Sequence, residues 1–328
     1  MTQNYNSKPF FTFIGHFAID SIIRFDEERS PTLGGSVSYC SLALKNYTND
    51  VKIGIISNLG ETNFDPALLE EIKAKGIDLS GLKWFNTKNT NFVLRYHNHS
   101  RELTLKSRSP DLKTEDIPES YLSSPPDAIV LVPLCNEISL EYVTQIMEKF
   151  PNALVGIDLQ GFIRTIDEKG VVSLKRENHL ISEINEIIKL IGEKLILKGS
   201  EEEMKILSGK EDLTEIMEYF NDEKFKGISI MTLGEKGSMI TKYGKQLIII
   251  PAFRPDQVAD ETGAGDAYLS IFLYEFFTSD KSWSSIRNAG LLASAAASFL
   301  VEEKGPNGFQ PKDKILKRLE TKDYLSQR

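Results

Sequence analysis

The sequence predicts an α/β fold: a three-layer α/β/α sandwich with a mostly parallel central sheet and a small β-sheet lid. Three observations lead there. Short apolar, β-rich runs alternate with helical stretches along most of the 328 residues. Strands buried on both faces read as such continuous runs, and the helices between them supply the crossovers of a parallel sheet. Two segments, 20–33 and 89–107, break the rhythm with polar–apolar alternation, which leaves one sheet face wet.

In chain order, residues 10–15, 51–57, 128–132, 154–158, 195–198 and 228–233 read as buried strands. Residues 36–45, 66–75, 140–149, 179–190 and 214–220 read as the helices between them. Segment 20–33 is a polar-decorated strand and turn, and 91–107 is a hairpin turning near 98–101. Arg95, His97, His99 and Arg101 gather near that hairpin. His97 and His99 share a strand face, and a wet lid surface accounts for them better than a metal pair. The last third holds two long apolar helices, 267–277 and 286–301. The second is crowded with Ala, Gly and Ser, which suits either close helix packing or contact with a flat nucleotide base. No repeat or linker marks a boundary, so 1–328 reads as one domain.

Hydrophobic residues make up 41% and charged residues 26%, an ordinary globular composition with material for a full core. The net charge of −8 argues against a nucleic-acid partner, which calls for a basic face. Cys40 and Cys135 are far apart in apolar contexts and read as buried free thiols. The polar N-terminus lacks a signal-like apolar run, and no stretch reaches the ~18 apolar residues of a membrane span. A cytoplasmic protein without a membrane partner is expected.

The strongest motif is Asp260-Glu-Thr-Gly-Ala-Gly-Asp266, running into an apolar helix. The first amides of a helix lack intrahelical acceptors, and the helix dipole adds positive charge there. Gly263, Ala264 and Gly265 let a phosphoryl group approach those amides closely. Asp266, in the same turn, is placed to take a proton from an attacking hydroxyl. The alternative is an N-capping Asp after a Gly-rich turn, a common arrangement. The string is neither a Walker A loop nor a dinucleotide fingerprint, whose third glycine position here holds Tyr268.

This motif resembles the C-terminal signature of the ribokinase-like (PfkB) carbohydrate kinases. Further matches follow in order: Gly15-His-Phe-Ala-Ile-Asp20, then Gly34-Gly35-Ser-Val-Ser-Tyr, then Thr232-Leu-Gly-Glu-Lys-Gly237. The resemblance implies a ribokinase-like sandwich and an ATP-dependent kinase, with Asp266 as general base and Gly263, Ala264 and Gly265 as anion hole. It implies that Asp20 and the Gly34-Gly35 turn hold acceptor hydroxyls, and that Thr232, Gly234 and Gly237 line the nucleotide. The segment Lys198-Gly-Ser200-Glu-Glu-Glu203 stands where the family has Asn-x-x-Glu, implying a Mg²⁺ site served by Glu203 through water, with Ser200 replacing Asn. Lys198 and Ser200 fall with it on the nucleotide side. Ser200 followed by three glutamates is also a helix capping box. Asp260 and the Thr262 backbone match positions that bind a monovalent cation such as K⁺ in several relatives.

Ribokinase itself has Lys and Asn where this chain has Ser36 and Tyr39. Together with Ser38, and with Gln160 and Arg164 downstream of a strand end, the pattern resembles the myo-inositol kinase branch. Archaeal nucleoside kinases share part of it and supply the alternative acceptor. A non-catalytic regulator on the same fold fits less well, because Asp266 and its glycines are intact. The partners implied are a small polyol, sugar or nucleoside, ATP, and a second copy pairing through the lid.

Overall fold

The computed structural model describes residues 7–24, 27–28, 32–97 and 100–325. The chain opens with β1 (Phe10–Ile14), then leaves the main layer to build β2 (Ala18–Arg24), β3 (Glu27–Glu28) and β4 (Thr32–Gly34). It returns through α1 (Ser36–Tyr47), β5 (Lys52–Gly60), α2 (Glu70–Ala74) and β6 (Asp78–Phe85). A second excursion forms β7 (Asn91–His97) and β8 (Ser100–Ser107). Next come α3 (Glu119–Ser123), β9 (Ala128–Leu131), α4 (Leu140–Lys149) and β10 (Leu154–Asp158). A short hairpin, β11 (Arg164–Ile166) and β12 (Val172–Leu174), precedes α5 (Asn178–Ile191), β13 (Leu195–Ser200) and α6 (Glu201–Ser208). The remainder is α7 (Leu213–Phe220), β14 (Ile228–Thr232), β15 (Ser238–Thr241), β16 (Ile248–Ile250), α8 (Ala264–Phe277), α9 (Trp283–Leu300) and α10 (Lys312–Thr321).

The main sheet runs β16-β15-β14-β13-β10-β9-β1-β5-β6. Every pair from β14 across to β6 is parallel, and β15 and β16 close the other edge antiparallel. Side chains alternate between its faces, as the two-residue strand period requires. Phe11, Phe13, Ala128 and Val130 join a core with α1, α8 and α9. Ile14, Ile129 and Leu131 join the opposite core with α4, α5 and α7. The predicted sandwich is therefore the observed one. The expected strands and helices fall at their predicted places. Strand β6 and the β15–β16 edge were not foreseen, since β6 carries several exposed polar positions and β16 is only three residues long.

The lid is a second sheet, ordered β3-β2-β7-β8 with β4 on the side of β2. It is mixed rather than purely antiparallel, because β2 and β7 run parallel. Residues 98 and 99, at the expected hairpin turn, lie outside the described residues, as do parts of 20–33. Both stalks of the lid meet at His16. Its Nε2–H donates to the Pro110 carbonyl (2.9 Å), and its Nδ1 accepts from the Thr90 hydroxyl (2.9 Å). Pro110 O can only accept, so that pairing selects the neutral Nε2–H tautomer. Burial pushes the His16 pKa down and keeps the ring uncharged. Glu137 accepts from the amides of His16, Leu134 and Cys135. The buried side chains of His16, Cys135 and Glu137 could be taken for a metal cluster. With both ring nitrogens engaged, they act as a polar pin between lid and sheet.

Candidate active site

The carboxyl ends of the parallel strands meet the start of α8, where ligands of open α/β sheets bind. Gly263 caps α8 with a left-handed backbone (φ 81°) that glycine adopts without strain. Ala264 N–H donates weakly to the Glu261 carbonyl (3.3 Å). The amides of Gly263, Gly265 and Asp266 have no acceptor among the described residues. Three donors thus stay free at the positive end of a 14-residue helix.

Three side chains crowd this terminus. Lys198, in β13, lies so close to Gly265 that a Cβ there would come within 2.6 Å of its Nζ. The Lys198 ammonium pairs with Asp158 Oδ2 at 2.8 Å, and both residues are under a tenth exposed. Burial disfavours the lysine charge, but Asp158, Glu203 and Asp266 outweigh it and hold the pKa above the usual lysine value. The ring of Tyr39 fills the space a Cβ on Gly263 would take (2.0 Å from Cδ1). Asp266, in the first turn of α8, receives the Cys40 thiol at 3.7 Å on Oδ1. Burial and the Asp158 charge push the Asp266 carboxyl up to about 6, against the pull of Lys198, Ser36 and Cys40.

The residues expected on the acceptor side cluster around the diglycine. Gly34 has no room for a side chain, because a Cβ there would sit 1.9 Å from Asp20 Oδ2. Gly35 turns the chain into α1 at φ 94°, with His16 O 2.6 Å from any Cβ. Asp20, half-buried, has its carboxyl raised to about 6 by burial, with Arg164 opposing. Arg164 also donates to the Leu134 carbonyl (2.9 Å) and feels Glu203 and Asp158. Ser36 helps to hold down the Asp266 pKa, whereas the Ser38 hydroxyl lies against the carbonyls of Gly34 and Gly35. The backbone, rather than open space, takes the Ser38 proton. Gln160 starts a short helical turn, its amide contacting Asp158 Oδ1 (3.3 Å).

On the other flank, Ser200 and Glu203 form a full capping box. Glu203 N donates to Ser200 Oγ and Ser200 N to Glu203 Oε2. Burial and Asp158 raise the Glu203 pKa, against Lys198, the Ser200 amide and Arg164. Thr232 lies beside Ser200 in the sheet, and its hydroxyl touches the Gly199 carbonyl (3.4 Å). Gly234 has open space above it, while a Cβ on Gly237 would strike the Ile250 carbonyl at 2.0 Å. Gly237 therefore closes the β14–β15 turn. Asp260 Oδ1 accepts from Thr262 N (3.0 Å). In α9, Gly290 packs directly on Ile240 and Ile250, the close packing that is one of the two uses expected of its small residues. Asp158, which the sequence reading left without a role, sits at the centre of the charge cluster. Its position at a strand end was the available signal.

A mostly parallel sheet whose carboxyl edge gathers free helix amides, a buried ammonium and carboxylates belongs to the α/β proteins that handle phosphate groups. Residues 33–313 match the pfkB family carbohydrate kinase model, and the chain belongs to that family. The members of that family are phosphotransferases with hydroxyl acceptors. The chain is 41% identical over 92 residues to a nucleoside kinase of Methanocaldococcus jannaschii, a match covering 28% of this chain and 29% of that protein. It is 24% identical over 267 residues to a cytidine kinase of Thermococcus kodakarensis, covering 79% and 86% of the two chains. Among solved structures, a pyrophosphate-dependent kinase in the ribokinase family, complexed with a pyrophosphate analog and myo-inositol, superposes with a TM-score of 0.72. It is 20% identical and covers 94% of this chain and 99% of that one.

Proposed function

We propose that the chain transfers the γ-phosphoryl group of ATP to a hydroxyl of a small neutral polyol, with myo-inositol the first choice. The observation that carries this reading is the start of α8. There a carboxylate with its pKa raised to about 6 shares one turn with free amides and faces the Lys198 ammonium. Asp266 takes the proton of the attacking hydroxyl as its oxygen bonds the γ-phosphorus and the bond to ADP breaks. The amides of Gly263 and Gly265 and the Lys198 ammonium receive the negative charge of the transferring group. Asp158 keeps Lys198 charged and fixed. Asp20, flanked by Gly34 and Arg164, accepts two acceptor hydroxyls.

The carboxylates of Asp158, at the end of β10, and Glu203, in the first turn of α6, are hard oxygen donors, which fits a magnesium ion held through water. Bound there, magnesium neutralises phosphate charge. Gly234, open above the β14 end, leaves room for the donor beyond its phosphates. A second acceptor reading is a nucleoside, favoured by the sequence matches to a nucleoside kinase and a cytidine kinase. The Tyr39 ring beside Gly263 offers a wall for either ring.

The test is product release with magnesium and either ATP or pyrophosphate, across inositols, sugars and nucleosides. ADP formation with myo-inositol well above ribose and cytidine is expected. Turnover of a nucleoside with none of inositol overturns the acceptor. Turnover with pyrophosphate alone overturns the donor.

A further inference from the structure

We propose that Ser36 and Cys40 are positioning residues, which hold the Asp266 carboxylate from the first turns of α1. The proposal rests on reading Asp266 as the base. Ser36 and Cys40 are four residues apart and share one face of α1. That face meets the start of α8. Cys40 Sγ lies 3.7 Å from Asp266 Oδ1 and 3.5 Å from the Asp266 carbonyl. Ser36, one turn earlier on that face, opposes the rise of the same carboxylate's pKa. Both residues are buried, so water does not replace them as partners.

Burial, Asp266 and Asp158 keep the Cys40 thiol protonated, which makes it a donor and not a second anion. The other charged or titratable groups facing Asp266 are Asp158 from β10, Lys198 from β13 and Tyr39 from α1. Asp158 favours protonation of Asp266, and Lys198 opposes it. Two neutral donors on α1 steady the ionised form without adding a charge that would compete for the phosphoryl group. Cys40 takes Oδ1, and among the described residues no hydrogen bond is made to Oδ2, which is left for the acceptor hydroxyl. The same helix begins at the Gly34-Gly35 turn that abuts Asp20. One rigid element therefore sets the base and borders the acceptor.

The test is the pH dependence of kcat/KM for Cys40→Ala, Cys40→Ser and Ser36→Ala, beside the parent and Asp266→Asn. Cys40→Ala should move the acidic limb to higher pH by roughly 0.3–1 unit, the size of one weak charge-assisted hydrogen bond. Its KM for the donor should stay within twofold. Cys40→Ser, which keeps a donor, should retain the parent limb. Ser36→Ala should shift the limb in the same direction, which keeps the test open if Cys40→Ala fails to fold. Limbs that superpose on the parent in both alanine variants, with any loss equal at every pH, overturn the proposal and leave both residues as packing. Normal turnover by Asp266→Asn would instead remove the base itself, a distinguishable failure.

Discussion

At the scale of single residues, the carboxyls of Asp266 and Asp20 are held against burial rather than relieved of it. Asp266 has a pKa near 6 in the folded chain, against 3.8 ordinarily. A base must be ionised, so kcat/KM should fall as pH drops below about 6. Asp266→Asn should cut kcat by about 10²–10⁴-fold while ATP binding, followed by calorimetry, stays intact. Because its folded pKa is raised, the Asp266 contribution to stability is full below about pH 4 and is lost as pH rises through 6. Asp266→Asn, neutral at every pH, should therefore melt higher than the parent at pH 8, with the gain vanishing below pH 4. Thermal melts across that range check the sign. On the acceptor side, Gly34→Ala forces the Asp20 carboxylate from its place. It should raise the acceptor KM as Asp20→Ala does, about 10–100-fold for a lost charged hydrogen bond, with the ATP KM little changed. Equal rises for both substrates would count against a dedicated acceptor carboxylate.

At the scale of elements, the start of α8 depends on two glycines for different reasons. Gly263 needs its left-handed backbone, and its missing side chain admits Tyr39. Gly265 has ordinary helical backbone, and its missing side chain admits Lys198. Gly265→Val should displace the ammonium from the helix terminus and lower kcat by at least tenfold, with a melting temperature close to the parent's. Gly263→Val should cost stability as well, since a strained non-glycine residue costs about 1–3 kcal/mol. Steady-state kinetics and thermal melts on the pair separate the two roles. If Gly265→Val turns over normally, Lys198 does not serve the transferred group. Glycine in the motif was legible from sequence; which neighbour each one admits was not, because Tyr39 and Lys198 are 224 and 67 residues away.

At the scale of the whole molecule, the lid is joined to the sandwich by a buried polar pin and not by apolar contact alone. His16 bridges Thr90 on the way into the lid strands and Pro110 on the way out. Asn89 strengthens the same junction, accepting from Gly60 N and donating to the Phe17 carbonyl. His16→Ala should leave the buried Thr90 hydroxyl without its acceptor and the Pro110 carbonyl with only a 3.4 Å contact from Asn58, at about 1–3 kcal/mol for the lost partner. Amide exchange should accelerate in β7 and β8 before it does in β9 or β10. Uniform acceleration across the chain would mean that His16 supports the fold in general and not the lid junction.

The sequence by itself determined the layered fold, the order of its elements and the helix terminus that carries Asp266. Each of these is written in local pattern: continuous apolar runs for buried strands, helical periodicity between them, and a glycine-rich turn before an apolar helix. The capping box at Ser200 and Glu203 was legible for the same reason, its partners being three residues apart. Only the tertiary structure decided the rest. It paired Lys198 with Asp158, turned the Ser38 hydroxyl onto backbone carbonyls, packed Gly290 of α9 on Ile240 and Ile250 and brought Cys40 to Asp266. Those outcomes depend on which strand ends lie side by side and how closely two helices approach. Such distances are set by the closure of the sheet and cores as a whole, and spacing along the chain does not encode them.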